Sequence, residues 1–367
     1  MILFDDTSWK TLRPLTLTRP VADLRVGILT LGEKWERRLG EVASPGTRPC
    51  LREKFPARPA PYRLWINGSI CPTDDLCKEV AQLRAGELLR TGEVVIAFRE
   101  RAGEAAEGYD GPPGGYARRE YGQEITKIEY PYQIFEYNGR ELARDFALLT
   151  AGRTGAPLDK SARVSGRFPL FAEEGAVARD CVINTEEGPV YLGRGTEVME
   201  GTLIRGPLAL CEHAVLKMGT RAYGATTVGP YCKCGGEVEN VVLSRYSSKA
   251  HDGFLGHSVI GQWCNIGAGT SVSNLKNSYD EVRLWDYASE RFRPTGLQFC
   301  GLIMGDHSKL GINMMINTGT VVGVSANLHG SGFPRNFVPS FAWGGASGFV
   351  EQRLSSFMEI ARAVMAR

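Results

Sequence analysis

The residues best equipped for chemistry cluster between positions 248 and 274. Ser248-Lys249-Ala250-His251-Asp252-Gly253-Phe254-Leu255-Gly256 is followed by Ile260-Gly261, by Asn265-Ile266-Gly267-Ala268-Gly269-Thr270, and then by Ser273-Asn274. A histidine titrates near neutrality, so His251 can take a proton from an ammonium near pH 7 and leave a nucleophilic amine. An amine attacking a thioester builds an oxyanion that needs N–H donors. A glycine-rich edge at 265–270 can offer backbone amides without side-chain obstruction. The set suits acyl transfer from a thioester to an amine, and a pantetheine arm could pair its own amides with the same backbone. His307, in Gly305-Asp306-His307-Ser308, is the rival base, with an acidic neighbour of its own.

The elements that must position these residues announce themselves through a six-residue period. Leu192, Val198, Ile204, Leu210, Leu216, Ala222, Val228 and Cys234 are in register; the register returns as Phe254, Ile260, Ile266, Val272, and again as Met304, Leu310, Ile316, Val322, Leu328. That period fits neither a 3.6-residue helix nor a two-residue alternation. It is the hexapeptide signature of a parallel β-helix, in which one small or aliphatic residue per short strand points into a narrow prism. A following glycine, as in Ile266-Gly267 or Leu310-Gly311, helps the backbone turn the corner. CoA-dependent acyltransferases use this architecture heavily.

The β-helix is expected over residues 161–340. Its register slips between Cys234 and Phe254 and vanishes in an insert at 275–295, which carries Val282, Leu284, Trp285, Tyr287 and Phe292. Such an insert is either a functional or inter-subunit arm, or a hairpin folded over the coil wall. The extension 341–367 contains an expected helix at about 350–366. Its face of Val350, Leu354, Phe357, Ala361 and Val364 is placed to cap the open end of the solenoid.

Residues 1–145 lack the hexad and read as an α/β domain, joined by a linker at 146–160. Ile2-Leu3-Phe4, Leu64-Trp65-Ile66-Asn67 and Val94-Val95-Ile96-Ala97 look like buried strands. Leu76, Val80, Leu83 and Leu88 are spaced for a helix over 75–89, and a linking helix is expected over 137–149. The Gly-rich stretch 102–123 reads as a mobile loop. A net charge of +2, from 43 basic and 41 acidic residues, implies no nucleic-acid partner. With no long apolar run and no signal-peptide core, the expectation is a soluble, cytoplasmic chain with no membrane partner. Nine scattered cysteines without a Cys-x-x-Cys pair read as reduced packing thiols, and five separated histidines suggest no metal site.

The stretch 228–274 resembles the acetyltransferase domain of the bifunctional glucosamine-1-phosphate acetyltransferase/N-acetylglucosamine-1-phosphate uridylyltransferase family, including its archaeal-type members, and the broader similarity covers about 190–330. The family pattern is His, two residues, an aromatic, an aliphatic and Gly, then a hexapeptide, then Asn-x-Gly-Ala-Gly-Thr and Asn. The resemblance makes His251 the catalytic base, Asn265 and Ala268 sugar- and CoA-contacting positions, and Asn274 the Asn beside the acetyl group. Phe254 stands where the family has a hydroxylated aromatic, so one hydrogen bond to substrate is lost. Lys233, Arg245 and Lys249 are the candidates for gripping a sugar phosphate. The resemblance further implies a left-handed β-helix, acetyl-CoA as donor, and a homotrimer with sites between subunits.

The N-terminal part resembles a degraded sugar nucleotidyltransferase. Thr18-Arg19-Pro20, Leu24-Arg25 and Glu33-Lys34 stand for the phosphate-binding start, but Leu15-Thr16-Leu17 replaces the glycines whose amides would wrap a triphosphate. Asn67-Gly68-Ser69 has Ser where a Mg²⁺-binding carboxylate is expected. Arg19, Arg25 and Lys34 are candidates for binding phosphate, against the alternative of solvated charges. The expected function is N-acetylation of an amino sugar phosphate or nucleotide amino sugar by acetyl-CoA. Two alternatives stand beside it: a bifunctional enzyme that also transfers a nucleotidyl group, requiring Mg²⁺, and a non-catalytic sugar-nucleotide-binding scaffold.

Overall fold

The computed structural model describes residues 1–57, 63–101, 103–104 and 114–366. The chain divides into two compact units. One comprises Met1–Arg25 with Leu29–Tyr130, the other Val26–Ile28 with Pro131–Arg367.

In the first unit the apolar run at the N-terminus becomes the strand Ile2–Phe4, flanked in parallel by Ser44–Gly46 and Leu64–Asn67. Val94–Arg99, Glu87–Thr91 and Ala117–Glu120 extend the sheet on the Leu64–Asn67 side. Helix Leu31–Leu39 begins at a reciprocal cap, with Glu33 N–H donating to Thr30 Oγ1 and Thr30 N–H to Glu33 Oε2. The helix expected over 75–89 runs only over Asp74–Ala81. Gly86, at φ +81°, lets the chain reverse, and Leu88 belongs to the strand that follows. Of the expected loop 102–123, residues 102 and 105–113 lie outside the described residues, whereas Ala117–Glu120 is a strand pairing parallel with Glu87–Thr91.

The second unit opens with one continuous helix, Tyr132–Thr150, so the division falls at Tyr130 rather than at 145. Ile134, Phe135, Asn138, Glu141, Leu142, Asp145, Phe146 and Leu149 recur at helical spacing and are its buried stripe. The solenoid follows, with three walls of short parallel strands stacked coil on coil. On the first wall Leu192, Leu210, Val228, Leu243, Ile260, Met304 and Val322 stack inward. On the second the inward row is Ala178, Val198, Leu216, Cys234, Lys249, Ile266, Leu310 and Leu328. The third wall turns in Ile183, Ile204, Ala222, Val238, Leu255, Val272 and Ile316. Leu255, not Phe254, is therefore the inward residue where the hexad resumes, and Phe254 lies outward, half-buried. The parallel ladder continues through Phe337–Val338 and Ala342–Gly345.

The corner between the first and second walls carries a column of rings. His213, Tyr231, Tyr246, Trp263 and His307 all hold left-handed backbone, with φ between 54° and 62°. Each ring leaves its coil at the same point, and successive centroids lie 5.0, 5.4, 4.2 and 6.2 Å apart. The stacking contributes roughly 0.5–1.5 kcal/mol per pair beyond burial, which offsets the cost of left-handed backbone at non-glycine residues.

The insert is an antiparallel hairpin of Arg283–Asp286 with Arg291–Pro294. Trp285 stacks on Phe337 at 4.3 Å, which folds the hairpin over the coil wall. The C-terminal helix spans Leu354–Met365 and does not cap the open end with the expected face, since Val350 and Leu354 are 67% and 64% exposed. It lies instead along the wall, with Phe357, Ile360 and Ala361 over His307, Lys309 and Asn327. No described helix is long and apolar enough to cross a membrane.

All nine cysteines are free thiols, and Cys50 alone is exposed. Titration of the native protein with an aromatic disulfide will therefore read about one fast-reacting thiol per chain, with the remaining cysteines appearing only on denaturation. Rapid reaction of several thiols in the native protein would contradict this packing.

Candidate active site

The corner between the second and third walls is where the coil departs from its own pattern. Between Leu216 and Arg221 it is built from residues 217–220, between Lys249 and Phe254 from 250–253, and between Ile266 and Ser271 from 267–270. Between Cys234 and Glu237 it shrinks to Gly235 and Gly236 alone. The register slip in the sequence combines this contraction with third corners one residue short, from Val238 to Leu243 and from Leu255 to Ile260. A Cβ on Gly235 would run into the Ala250 carbonyl, and one on Gly236 would lie 2.8 Å from both Asp252 Cα and the His251 carbonyl. Two glycines thus let the shortened corner nest under the next one, which carries His251.

His251 is exposed at that next corner. Among the described residues no side chain bonds its imidazole, so its placement comes from its backbone. Directly above, the 267–270 corner contributes Ala268. Most amides of this glycine-rich edge are spent on neighbouring carbonyls: Gly267 N–H donates to Leu310, Gly269 to Asp252, Thr270 to Gly267 and Ser271 to Met314. The Ala268 N–H is not used in this way, so the donor set for an oxyanion is narrower than the glycine count suggests.

Phe254 and Asn274 meet on the adjoining third wall. A Cβ on Gly256 would fall 2.5 Å from Asn274 Nδ2 and 2.6 Å from the Phe254 ring, so both side chains lie across that glycine. Asn265 is exposed on the second wall, in register with Ser248 and, one coil further, Lys233. Arg245 sits at the aromatic corner beside Tyr246, on the far side of the second wall from His251, and is not brought to this site.

Lys249 is the clearest correction. It is 1% exposed and occupies the inward row, between Cys234 and Ile266, where it cannot grip a phosphate from solvent. Its Nζ donates to the carbonyls of Gly235 (2.9 Å) and His251 (2.6 Å). Burial pushes its amine below the usual lysine value. Hydrogen bonds to a charged donor are worth about 1.5–3 kcal/mol each, which offsets part of the cost of burying the ammonium. His307 is also displaced from the chemistry, because its ring stacks on Trp263 and meets the edge of Phe357 at 5.6 Å.

In the first unit, the phosphate-binding candidates are neither phosphate ligands on a surface nor solvated charges. Arg19, Arg25 and Lys34 are 3%, 7% and 1% exposed, and Arg25 faces Glu33 at 3.6 Å. The carboxyl end of strand Ile2–Phe4 presents Asp5 and Asp6. Asp5 accepts from Val21 N–H and Thr47 Oγ1, and burial raises its carboxyl above the usual value despite these bonds. Asp6 is partly buried, but Lys127 Nζ at 3.1 Å, with Ser8 and Asn67, holds it low. Ser69 is fully buried and donates to Asn67 Oδ1. These groups do not fit a divalent cation: an ammonium already neutralises Asp6, and serine replaces the third carboxylate. Among the described residues no cluster of three or more His, Cys, Asp or Glu could hold a metal.

Residues 1–154 match the sugar nucleotidyl transferase family. The chain is also similar to several named proteins. The bifunctional protein GlmU of Wolbachia pipientis is 32% identical over 121 residues, 30% of this chain and 27% of that protein. The bifunctional sugar-1-phosphate nucleotidylyltransferase/acetyltransferase of Sulfurisphaera tokodaii is 32% identical over 93 residues, 25% of this chain and 23% of that one. An uncharacterized acetyltransferase, YaiX of Escherichia coli, is 24% identical over 154 residues, 41% of this chain and 66% of its own. The chain thus spans between about a quarter and two fifths of the GlmU-type proteins it matches and just under two thirds of YaiX. Among solved structures the polySia specific acetyltransferase NeuO aligns over 53% of this chain and 88% of its own, at 13% identity and a TM-score of 0.30, too low to bear on the argument.

Three residues beside the site carry no sequence signal of their own. Glu237 stands in register with Phe254, accepts from Tyr223 OH at 2.6 Å, and pairs with Arg221 at 3.3 Å. Glu239, on the same strand, has its carboxyl raised by burial and by Glu237. His257, at the third corner, lies between Phe135 and Phe299, with Asn274 Nδ2 3.0 Å from its Nδ1. Burial pushes the His257 imidazole down to about 4. The unfolded chain therefore binds a proton below pH 6.5 that the folded chain refuses until about pH 4. Stability will fall as pH drops through that window, and His257→Phe will flatten the fall. Equal pH dependence of urea unfolding in the two proteins would refute the neutral assignment.

Proposed function

We propose that the second unit is an acetyltransferase that moves the acetyl group of acetyl-CoA onto the amine of an amino sugar carried as a phosphate or nucleotide sugar. The observation that carries this reading is the pinched corner. It sets His251 beside the Ala268 amide, with Phe254 and Asn274 on the adjoining wall. The relatives named as acetyltransferases support it.

The acceptor ammonium loses one proton to solvent, and His251 takes a second from the nitrogen as it attacks the thioester carbonyl. The C–N bond forms, the oxyanion is met by the Ala268 N–H, and the C–S bond breaks. His251 then returns its proton to the departing CoA thiolate. Asn265 and Asn274 orient sugar and acyl group, and Phe254 covers the apolar side of the sugar. The working form is a homotrimer, as in the family this half resembles.

His251→Ala will lower kcat for free-thiol release from acetyl-CoA by about 10²–10⁴-fold. Being exposed, the change will alter stability by less than about 0.5 kcal/mol. Near-wild-type turnover in the variant would sink the assignment of the base. Silence of the wild type across amino sugar phosphates and nucleotide amino sugars would sink the reaction.

A second reading concerns the first unit. It matches a sugar nucleotidyl transferase family, yet its Asp5, Asp6, Asn67 and Ser69 do not suit a divalent cation. We infer that it binds a sugar nucleotide without nucleotidyl transfer. With UTP or dTTP, a sugar 1-phosphate and Mg²⁺, no pyrophosphate will be released, while the nucleotide sugar will bind by calorimetry. Metal-dependent pyrophosphate release would make the chain bifunctional instead.

A further inference from the structure

The second wall turns one apolar side chain per coil into the prism, and Lys249 breaks that row. The break falls where the preceding corner is reduced to Gly235 and Gly236. A methionine or leucine would fill the position without burying a charge, so packing alone does not account for the lysine. What the ammonium does there is geometric. It bonds two carbonyls from successive corners, Gly235 at 2.9 Å and His251 at 2.6 Å, while the Lys249 carbonyl accepts from Gly235 N–H at 2.7 Å. The His251 carbonyl is thus held from inside the coil, on a residue whose imidazole is exposed and bonded to no side chain among the described residues.

We propose that Lys249 is the positioning residue of this site: its buried ammonium ties the Gly235 and His251 carbonyls together and so fixes the corner that presents the His251 imidazole. The inference rests on the acetyltransferase reading for its functional consequence, but the clamp itself does not. Lys249 touches neither acceptor nor donor. It acts through the backbone of the base, and a corner freed to shift by about 1 Å loses on the order of tenfold or more in rate.

The test is Lys249→Met, which keeps the length of the side chain and restores the apolar row, with Lys249→Leu as a second variant should the first pack poorly. A residue needed only for packing would lower the melting temperature when replaced. A clamp kept for function gives the opposite pattern. The melting temperature holds or rises, kcat falls tenfold or more, KM for acetyl-CoA stays within about twofold, and amide hydrogen exchange at 250–253 quickens. Unchanged kcat together with unchanged exchange would overturn the proposal, as would a fall in melting temperature in both variants with exchange at 250–253 unaltered. If no acceptor is acetylated even by the wild type, while exchange still quickens in the variant, the acetyltransferase reading falls and the clamp stands.

Discussion

The interior of the coil admits one side chain from each wall per turn, and most of the second unit follows from that limit. The strands are short because the wall is short. They pair in parallel because each coil must lie on the last with its inward residue in the same row. Leu192, Leu210, Val228 and Leu243 succeed one another without a gap on the first wall. A residue lost from a wall would turn an apolar side chain to solvent and a polar one inward. Length can therefore change only at the corners or in whole excursions, and both occur here.

The three corners have taken three roles. The first holds left-handed residues whose rings stack along the coil, which consumes the faces of His307 along with those of Trp263 and Tyr246. The third lies by helix Tyr132–Thr150, where Phe135 and Phe299 enclose His257. The second contracts to two glycines in one coil and carries the exposed His251 in the next, while the third takes up the 275–295 excursion. Because most amides of a solenoid are committed to neighbouring carbonyls, the glycine-rich edge at 267–270 offers fewer free donors than its composition suggests, and the Ala268 N–H is the one left over. Lys249 fits the same logic. Where the corner contracts, an inward ammonium supplies bonds that the shortened backbone does not.

In the first unit, charge has been rearranged around a retained sheet. The carboxyl ends of parallel strands are where such sheets hold ligands. Here they bear Asp5 and Asp6, with Lys127 against Asp6 and Arg48 3.4 Å from Asp5. The arginines and the lysine of the degraded loop point inward rather than to solvent. A sheet that matches the sugar nucleotidyl transferase family over 1–154 thus carries a site with its charges already internally neutralised.

The six-residue period by itself determined the solenoid, because no other architecture turns one residue in six toward a common axis. The same sequence drew attention to His251 through its residue type and surroundings, and to Ala268 and Asn274 only through the family resemblance. It also located the fault at 235–253, but not its meaning. Counting sixes across the fault put Phe254 inside and left Lys249 outside as a phosphate ligand. The structure reverses both, because the inward positions Leu255 and Ile260 are five residues apart rather than six, which moves the count off Phe254 and onto Leu255 and Lys249. Helix ends were missed where a glycine reversal at Gly86 overrode an apolar spacing that continued past it. Arg19, Arg25 and Lys34 showed only charge in the sequence, and burial is a property of neighbours far along the chain. Periodicity records what every coil must share. The placement of a buried ammonium, a stacked histidine or a free amide depends on which coil lies beside which, and only the tertiary structure decides that.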